Sequence, residues 1–180
     1  MATFTDVPAG TKFYAEIEWA ASQTLLRGWP DRTFRPLNRI NRDAMAAALY
    51  RLAGEPHFVA PAVSSFPDVV PGQQFYQEIH WVADRGLLRG WTDGSYRPVR
   101  PIARDATAAM FYRAAGSPPY TPPRLSRFKD VQPGRQFYKE IHWLASTGIT
   151  TGWADGTYRP GLPIARDAMA AFLKRFDQAV

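Results

Sequence analysis

Cysteine is absent from this 180-residue chain. Disulfides and thiolate-bound metal sites are thereby excluded, while the compartment stays open, because many exported proteins also lack cysteine. No apolar run approaches the roughly 20 residues that a membrane helix needs. Membrane insertion is therefore not expected. No signal-peptide pattern follows Met1, so the chain reads as a module of a longer exported protein. H-E-x-x-H, nucleophile-elbow, P-loop and Cys/His patterns are all missing. Neither catalysis nor a cofactor nor a metal is expected. His80 and His142 share one repeat position, but Glu18 fills it in the first copy, so a packing role is read for them. The Asp-Gly turns described below are too short for a calcium loop, which needs several spaced oxygens.

What is present is a large apolar inventory and an excess of positive charge. Hydrophobic residues make up 46% and aromatic residues 14%, enough for a core and against disorder. Formal charge is +6, from 22 basic and 16 acidic residues. That balance favours an anionic partner: nucleic acid, anionic lipid or acidic polysaccharide. Nucleic acid is set aside, because no nucleic-acid module has the repeat that follows.

The chain repeats itself at a 62-residue period without gaps. Phe4, Phe66 and Phe128 obey it, as do Asp6, Asp68 and Asp130, and Trp19, Trp81 and Trp143. Three units result, 1–54, 64–116 and 126–180, joined by proline-containing connectors at 55–63 and 117–125. Each unit reads as helix–loop–helix, giving an all-α fold. The first helix spans Phe75 to Arg85 in the middle unit, with Gly86 ending it. Phe75, Ile79, Val82, Ala83 and Gly86 form its apolar stripe. Trp81 lies off that stripe, so it either packs on a neighbouring unit, the favoured reading, or is exposed as a sugar platform. The second helix is alanine-rich and starts near Arg42, Arg104 or Arg166. It is apolar around most of its circumference, so three such helices are expected to form a close-packed centre. Arg51, Arg113 and Arg175 fall in its last turn, favourable for the helix dipole. Gly54 and Gly116 are the expected C-caps.

Between the helices lies the most informative stretch, Trp91 to Ala106, with copies from Trp29 to Ala44 and from Trp153 to Ala168. Asp93-Gly94 and Asp155-Gly156 favour tight turns. The first copy has Asp31-Arg32 instead, so a left-handed turn there is strained. Arg35, Arg97 and Arg159 precede prolines and are expected in extended backbone. Arg42, Arg104 and Arg166 open the second helix, where free N–H groups also attract anions. Arginine's planar fork can grip a carboxylate or phosphate bidentately. Trp29, Trp91 and Trp153 can stack on the apolar face of a sugar. Together these residues form a candidate anionic-glycan site. The competing reading is a structural Arg–Asp pair that ties the loop to the helix.

At Phe66-Pro67-Asp68-Val69, at Val82 to Gly86-Leu87, at Gly90-Trp91-Thr92-Asp93-Gly94-Ser95-Tyr96-Arg97-Pro98 and at Ile102-Ala103-Arg104-Asp105-Ala106, the chain resembles the S-layer homology family. The resemblance covers all three units. It implies a pseudo-threefold, all-helical body formed by one chain. It also implies grooves, each shared by two neighbouring units, that hold an anionic, often pyruvylated cell-wall polysaccharide and anchor exported proteins at the cell surface. The alternative is a structural or protein-interaction scaffold that binds no glycan. The family's I-T-R-A-E arginine maps onto Arg42, Arg104 and Arg166. Its capping Thr becomes Asn41, Ala103 and Ala165. Asn41 can still cap, whereas each alanine forfeits roughly 1 kcal/mol if nothing replaces the cap. Since unit one lacks the turn glycine and Thr151 replaces Arg27 and Arg89, unequal grooves are expected, with those involving Arg104 and Arg166 better formed.

Overall fold

A computed structural model describes residues 2–180. Six helices follow the repeat: α1 (Tyr14–Ser22), α2 (Arg42–Leu52), α3 (Tyr76–Asp84), α4 (Arg104–Ala114), α5 (Tyr138–Ser146) and α6 (Arg166–Ala179). Among the described residues, strand-like pairing is limited to three isolated bridges, Arg39 with Ala165, Asn41 with Pro101, and Ala103 with Pro163. The fold is all-α.

The first helix of each unit starts one residue later than the periodicity predicts. Phe13, Phe75 and Phe137 stand just ahead of it with φ of 61°, 63° and 62°. A left-handed conformation is unusual for a bulky residue. It turns the chain into the helix while the Phe75 carbonyl still accepts the Ile79 N–H at 2.9 Å. The second helix ends as expected. The Gly54 N–H donates to Arg51 and the Glu55 N–H to Tyr50, the paired bonds of a Schellman motif.

The helices do not pair as neighbours within a unit. The closest pairs are α2 with α3, α4 with α5 and α1 with α6. Each first helix therefore lies on the second helix of the preceding unit, and the last unit closes onto the first. Trp81 shows why. It is buried and meets Tyr50 of unit one edge-on at 5.3 Å, as Trp143 meets Tyr112 at 5.2 Å. The off-stripe tryptophan is thus the inter-unit contact and not a sugar platform. The alanine-rich helices are the buried ones, but they approach a neighbour's first helix more closely than they approach one another. Phe111 of α4 reaches Phe176 of α6 at 4.9 Å through side chains.

Where the loops meet, the backbone forms a closed circuit. The Ile40 N–H donates to Ile164 at 3.1 Å, Ile164 to Ile102 at 3.1 Å, and Ile102 to Ile40 at 3.0 Å. All three isoleucine side chains are buried. The connectors are pinned by tyrosines on both sides. Tyr50 and Tyr112 donate to the carbonyls of Pro56 and Pro118, and Tyr76 and Tyr138 to those of Pro61 and Pro123. The two histidines are 4% and 2% exposed and face Ser64 and Ser126 at 3.2 and 3.1 Å. Burial pushes both imidazoles below their ordinary value, so they pack as neutral groups.

The turn of unit one carries the expected strain. Arg32 sits at φ 63° where Gly94 has φ 82° and Gly156 φ 81°. Nothing lies within 4 Å of a Cβ placed on Gly94, so the constraint at this turn is conformational and not steric. Arg32→Gly is expected to raise stability by about 1 kcal/mol. Urea unfolding checks this, and an unchanged or lowered midpoint would show that the Arg32 side chain contributes more than its backbone costs.

Candidate functional site

The opening aspartate of each unit sets the loop geometry. Asp68 reaches 28 residues along the chain and accepts N–H bonds from Tyr96 at 2.8 Å and Arg97 at 2.7 Å. Asp6 and Asp130 do the same for Phe34 and Arg35 and for Tyr158 and Arg159. These bonds clamp the pre-proline arginine in the left-handed region. Arg35, Arg97 and Arg159 have φ of 56°, 57° and 58°, not the extended backbone expected before proline. A carboxylate accepting two amides overrides the local preference.

With that backbone, the Arg97 side chain folds back on its own turn. Its Nη2 donates to Asp93 at 2.7 Å and its Nε to Ser95 at 3.0 Å. Arg35 pairs with Asp31 at 3.0 Å and Arg159 with Asp155 at 2.8 Å. The structural Arg–Asp pair therefore exists, but it is made by the Arg-Pro arginine and not by the one that opens the helix. Hydrogen bonds from Thr33, then Arg35, draw Asp31 down to about 2. Ser95 and Thr157, with Arg97 and Arg159, hold Asp93 and Asp155 lower still. Gly94 and Gly156 supply the turn that brings each pair together.

Arg42, Arg104 and Arg166 behave differently. They are 5%, 6% and 7% exposed, and none has a carboxylate partner among the described residues. Each crosses into the next unit. Arg42 donates Nε to the Tyr96 carbonyl at 2.9 Å and Nη2 to the Arg89 carbonyl at 2.8 Å. Arg104 reaches the Tyr158 carbonyl and the Thr150 hydroxyl. Arg166 reaches the carbonyls of Phe34 and Arg27. The third guanidinium nitrogen, Nη1, makes no hydrogen bond among the described residues and is not sealed from solvent. Burial is the main influence that lowers each guanidinium, Arg166 to about 10, so all three remain charged at neutral pH.

The tryptophan beside each of these arginines also comes from the next unit. The Arg42 guanidinium carbon lies 4.3 Å from the centre of Trp91, that of Arg104 4.2 Å from Trp153, and that of Arg166 4.5 Å from Trp29. Arg97, Arg159 and Arg35 lie over the same three rings at 4.6, 4.7 and 4.5 Å. Each of these three tryptophans thus carries at least two guanidinium groups, and Trp153 remains 36% exposed.

The helix start itself is not an open anion site. The N–H groups of Arg42 and Asp43 donate to the carbonyls of Arg100 and Pro98 of the next unit, both at 3.0 Å. The Ala44 N–H donates to the Asp43 carboxylate at 2.6 Å. The same bonds recur at Arg104 and Arg166. Asn41 makes no side-chain cap, and the alanines at 103 and 165 leave nothing unsatisfied, because neighbouring carbonyls supply what the Thr of the motif would.

Two open grooves result. One, of about 540 Å³, runs past Arg42, Trp91, Arg89, Arg100, Arg113 and Phe137. The other, of about 470 Å³, runs past Arg166, Trp29, Arg27, Arg51, Gln74 and Phe75. Each takes residues from three units and not two. The groove at Arg42 is built on unit two's Trp91 loop, which has its turn glycine. The defective Asp31-Arg32 turn belongs with Arg166 instead. Reasoning from the sequence missed that Phe75, Phe137, Arg51 and Arg113 line these grooves. Their 62-residue recurrence was visible, but the inter-unit offset that brings them to the groove was not.

A family model for the S-layer homology domain matches residues 3–46, 65–108 and 127–170. The chain belongs to the S-layer homology family. Similar proteins include Cell surface glycoprotein 1 of Acetivibrio thermocellus, 27% identical over 83% of this chain and 7% of that protein. An S-layer protein of Bacillus licheniformis is 31% identical over 72% of this chain and 14% of its own length. A cellulosome-anchoring protein of A. thermocellus is 28% identical over 77% of this chain and 31% of its own length. This S-layer homology chain thus spans less than a third of each of these relatives.

Proposed function

We propose that units 1–54, 64–116 and 126–180 act as one monomeric module that anchors a bacterial protein at the cell surface by holding an anionic cell-wall polysaccharide, a pyruvylated one included, in its grooves. The observation that carries this reading is the buried arginine with no carboxylate within salt-bridge reach among the described residues. A charge taken out of water is costly unless an opposite charge meets it. Arg42 and Arg166 leave one nitrogen open toward a groove whose wall is tryptophan. A sugar acid or phosphate on a glycan supplies the missing charge, and the ring edge or face supplies a surface for the pyranose. S-layer homology membership and the names of the anchoring and S-layer relatives support the cell-surface setting. The reading involves no turnover, cofactor or metal.

A second reading has its own observation. Nε and Nη2 of Arg42 are already satisfied by backbone carbonyls, as in an arginine kept only for folding. Co-sedimentation with protein-free cell walls separates the two. Binding is expected to disappear when acid extraction removes the wall polymer, and to weaken as salt rises toward 1 M, where the Debye length falls to about 3 Å. Arg42→Lys keeps a charge but loses the fork, and is expected to bind at least about tenfold more weakly at unchanged helicity. If the folded wild-type chain ignores intact walls, the scaffold reading replaces this one.

A further inference from the structure

The three arginine sites share a plan, but their surroundings do not. The groove at Arg42 gathers Arg89, Arg100 and Arg113 as well. Asp105 is the acidic group on its wall, and Arg135 of unit three already bridges it at 3.4 Å. Arg100 lies 5.6 Å from the Trp91 ring, as a third guanidinium beside that tryptophan. Its own carbonyl takes the Arg42 N–H, so the two arginines are fixed side by side. At the same repeat position the other loops carry Asn38 and Leu162. Among the described residues, the groove at Arg166 has only Arg27 and Arg51 beside it, with Asp43 on the wall and no basic partner for that acid. Like charges held in one groove repel, and burial together with Arg100 lowers the Arg42 guanidinium.

We infer that Arg100 makes the Arg42 groove selective for a sugar unit carrying two negative charges, while the other two sites accept a single charge. This inference rests on the anionic-glycan reading. Arg42 offers its open Nη1 from the groove floor, and Arg100 offers a solvent-exposed fork at the rim. A phosphate monoester or a pair of carboxylates on one sugar can meet both, whereas a lone carboxylate satisfies one. Arg100 is therefore a specificity-determining residue, and the grooves differ in the charge of their preferred unit. One module can then grip two chemically distinct positions along the same polymer.

The test is a ¹H–¹⁵N NMR titration of the full chain with two probes, glucose 6-phosphate and glucuronate. Gly90 and Thr92 report on the Arg42 groove, Gly28 on the Arg166 groove and Gly152 on the Arg104 site. At Gly90 and Thr92 the phosphate probe is expected to bind about tenfold more tightly than glucuronate. Gly28 and Gly152 should show no such preference. Arg100→Gln, a change at an exposed side chain, should bring the ratio at Gly90 to within about twofold by weakening the phosphate probe far more than glucuronate. An unchanged ratio in that variant, or an equal ratio at Gly28, would overturn the role of Arg100 and leave the general reading standing. If neither probe shifts any of the four amides, both readings fall.

Discussion

Arg166→Ala is expected to lower folding stability by about 3 kcal/mol, a drop of roughly 6–12 °C in Tm for a chain of this size. The side chain makes the longest-range hydrogen bonds among the described residues. Its Nε and Nη2 tie unit three to Phe34 at 2.9 Å and Arg27 at 2.7 Å, across 132 and 139 residues. It also lies 4.5 Å from the rings of both Trp29 and Phe34. Truncation leaves two carbonyls that must find water in a largely buried place, and it removes two cation–π contacts. Desolvating the guanidinium opposes these gains in the wild type, which keeps the net effect well below the sum of its parts. Arg166→Met retains the aliphatic volume but no donors. It is expected to fall within about 1 kcal/mol of the alanine variant, because the bonds and not the stem are decisive. A loss below about 1 kcal/mol in urea unfolding of Arg166→Ala would show that burial cost and bonding nearly cancel, and that the arginine is kept for the ligand alone.

That double duty bears on how binding and folding are linked. On the proposed glycan reading, an anion meeting Nη1 would stabilise the folded chain by mass action, since each groove exists only when its units are docked. Arg42 draws its Trp91 from unit two, Arg104 its Trp153 from unit three, and Arg166 its Trp29 from unit one. Ligand bound at one groove would therefore tighten the contact that also carries the next loop.

How much of this was legible beforehand depends on whether a feature lies within a unit or between units. The 62-residue period, the start of the second helix at Arg42, Arg104 and Arg166, and the glycine caps at Gly54 and Gly116 are local, and the sequence pattern reached them. The packing role of Trp81 was also legible, because a ring off the apolar stripe needs a second neighbour. The left-handed Arg97 was not. Its cause is Asp68, which lies 29 residues away and outweighs the pre-proline preference. The missing helix caps were misread for a similar reason. Ala103 looks like a loss until the carbonyls of Leu162 and Pro160 are seen to receive the first two N–H groups. Nothing in a single repeat says which other repeat will face it. The offset of one unit, which pairs Arg42 with Trp91 and not with Trp29, is a property of the closed ring.

That closure makes the second large prediction unusually sharp. A chain cut to residues 1–125 keeps two complete repeats, yet it is expected to show no cooperative thermal transition. Cutting removes α6, and with it the surface on which α1 buries Ile17 and Ala20. It removes Ile164 from the circuit, leaving the Ile40 N–H without its acceptor and the Ile102 carbonyl without its donor. It also strips the Tyr158 carbonyl and the Trp153 ring from Arg104, so a guanidinium placed for burial meets water on one side and an apolar gap on the other. In an open array of repeats each unit contacts only its sequence neighbours, and losing the last costs one interface. Here the loss of one unit opens two of three interfaces and leaves α2 on α3 as the sole close helix pair. Residues 126–180 added as a separate chain should restore the transition, because they refill the same contacts and only the tether is missing. Circular dichroism melts read the outcome. A monomeric 1–125 chain that unfolds cooperatively, with two thirds of the full helical signal, would show that adjacent repeats are self-sufficient and that the ring is not the folding unit.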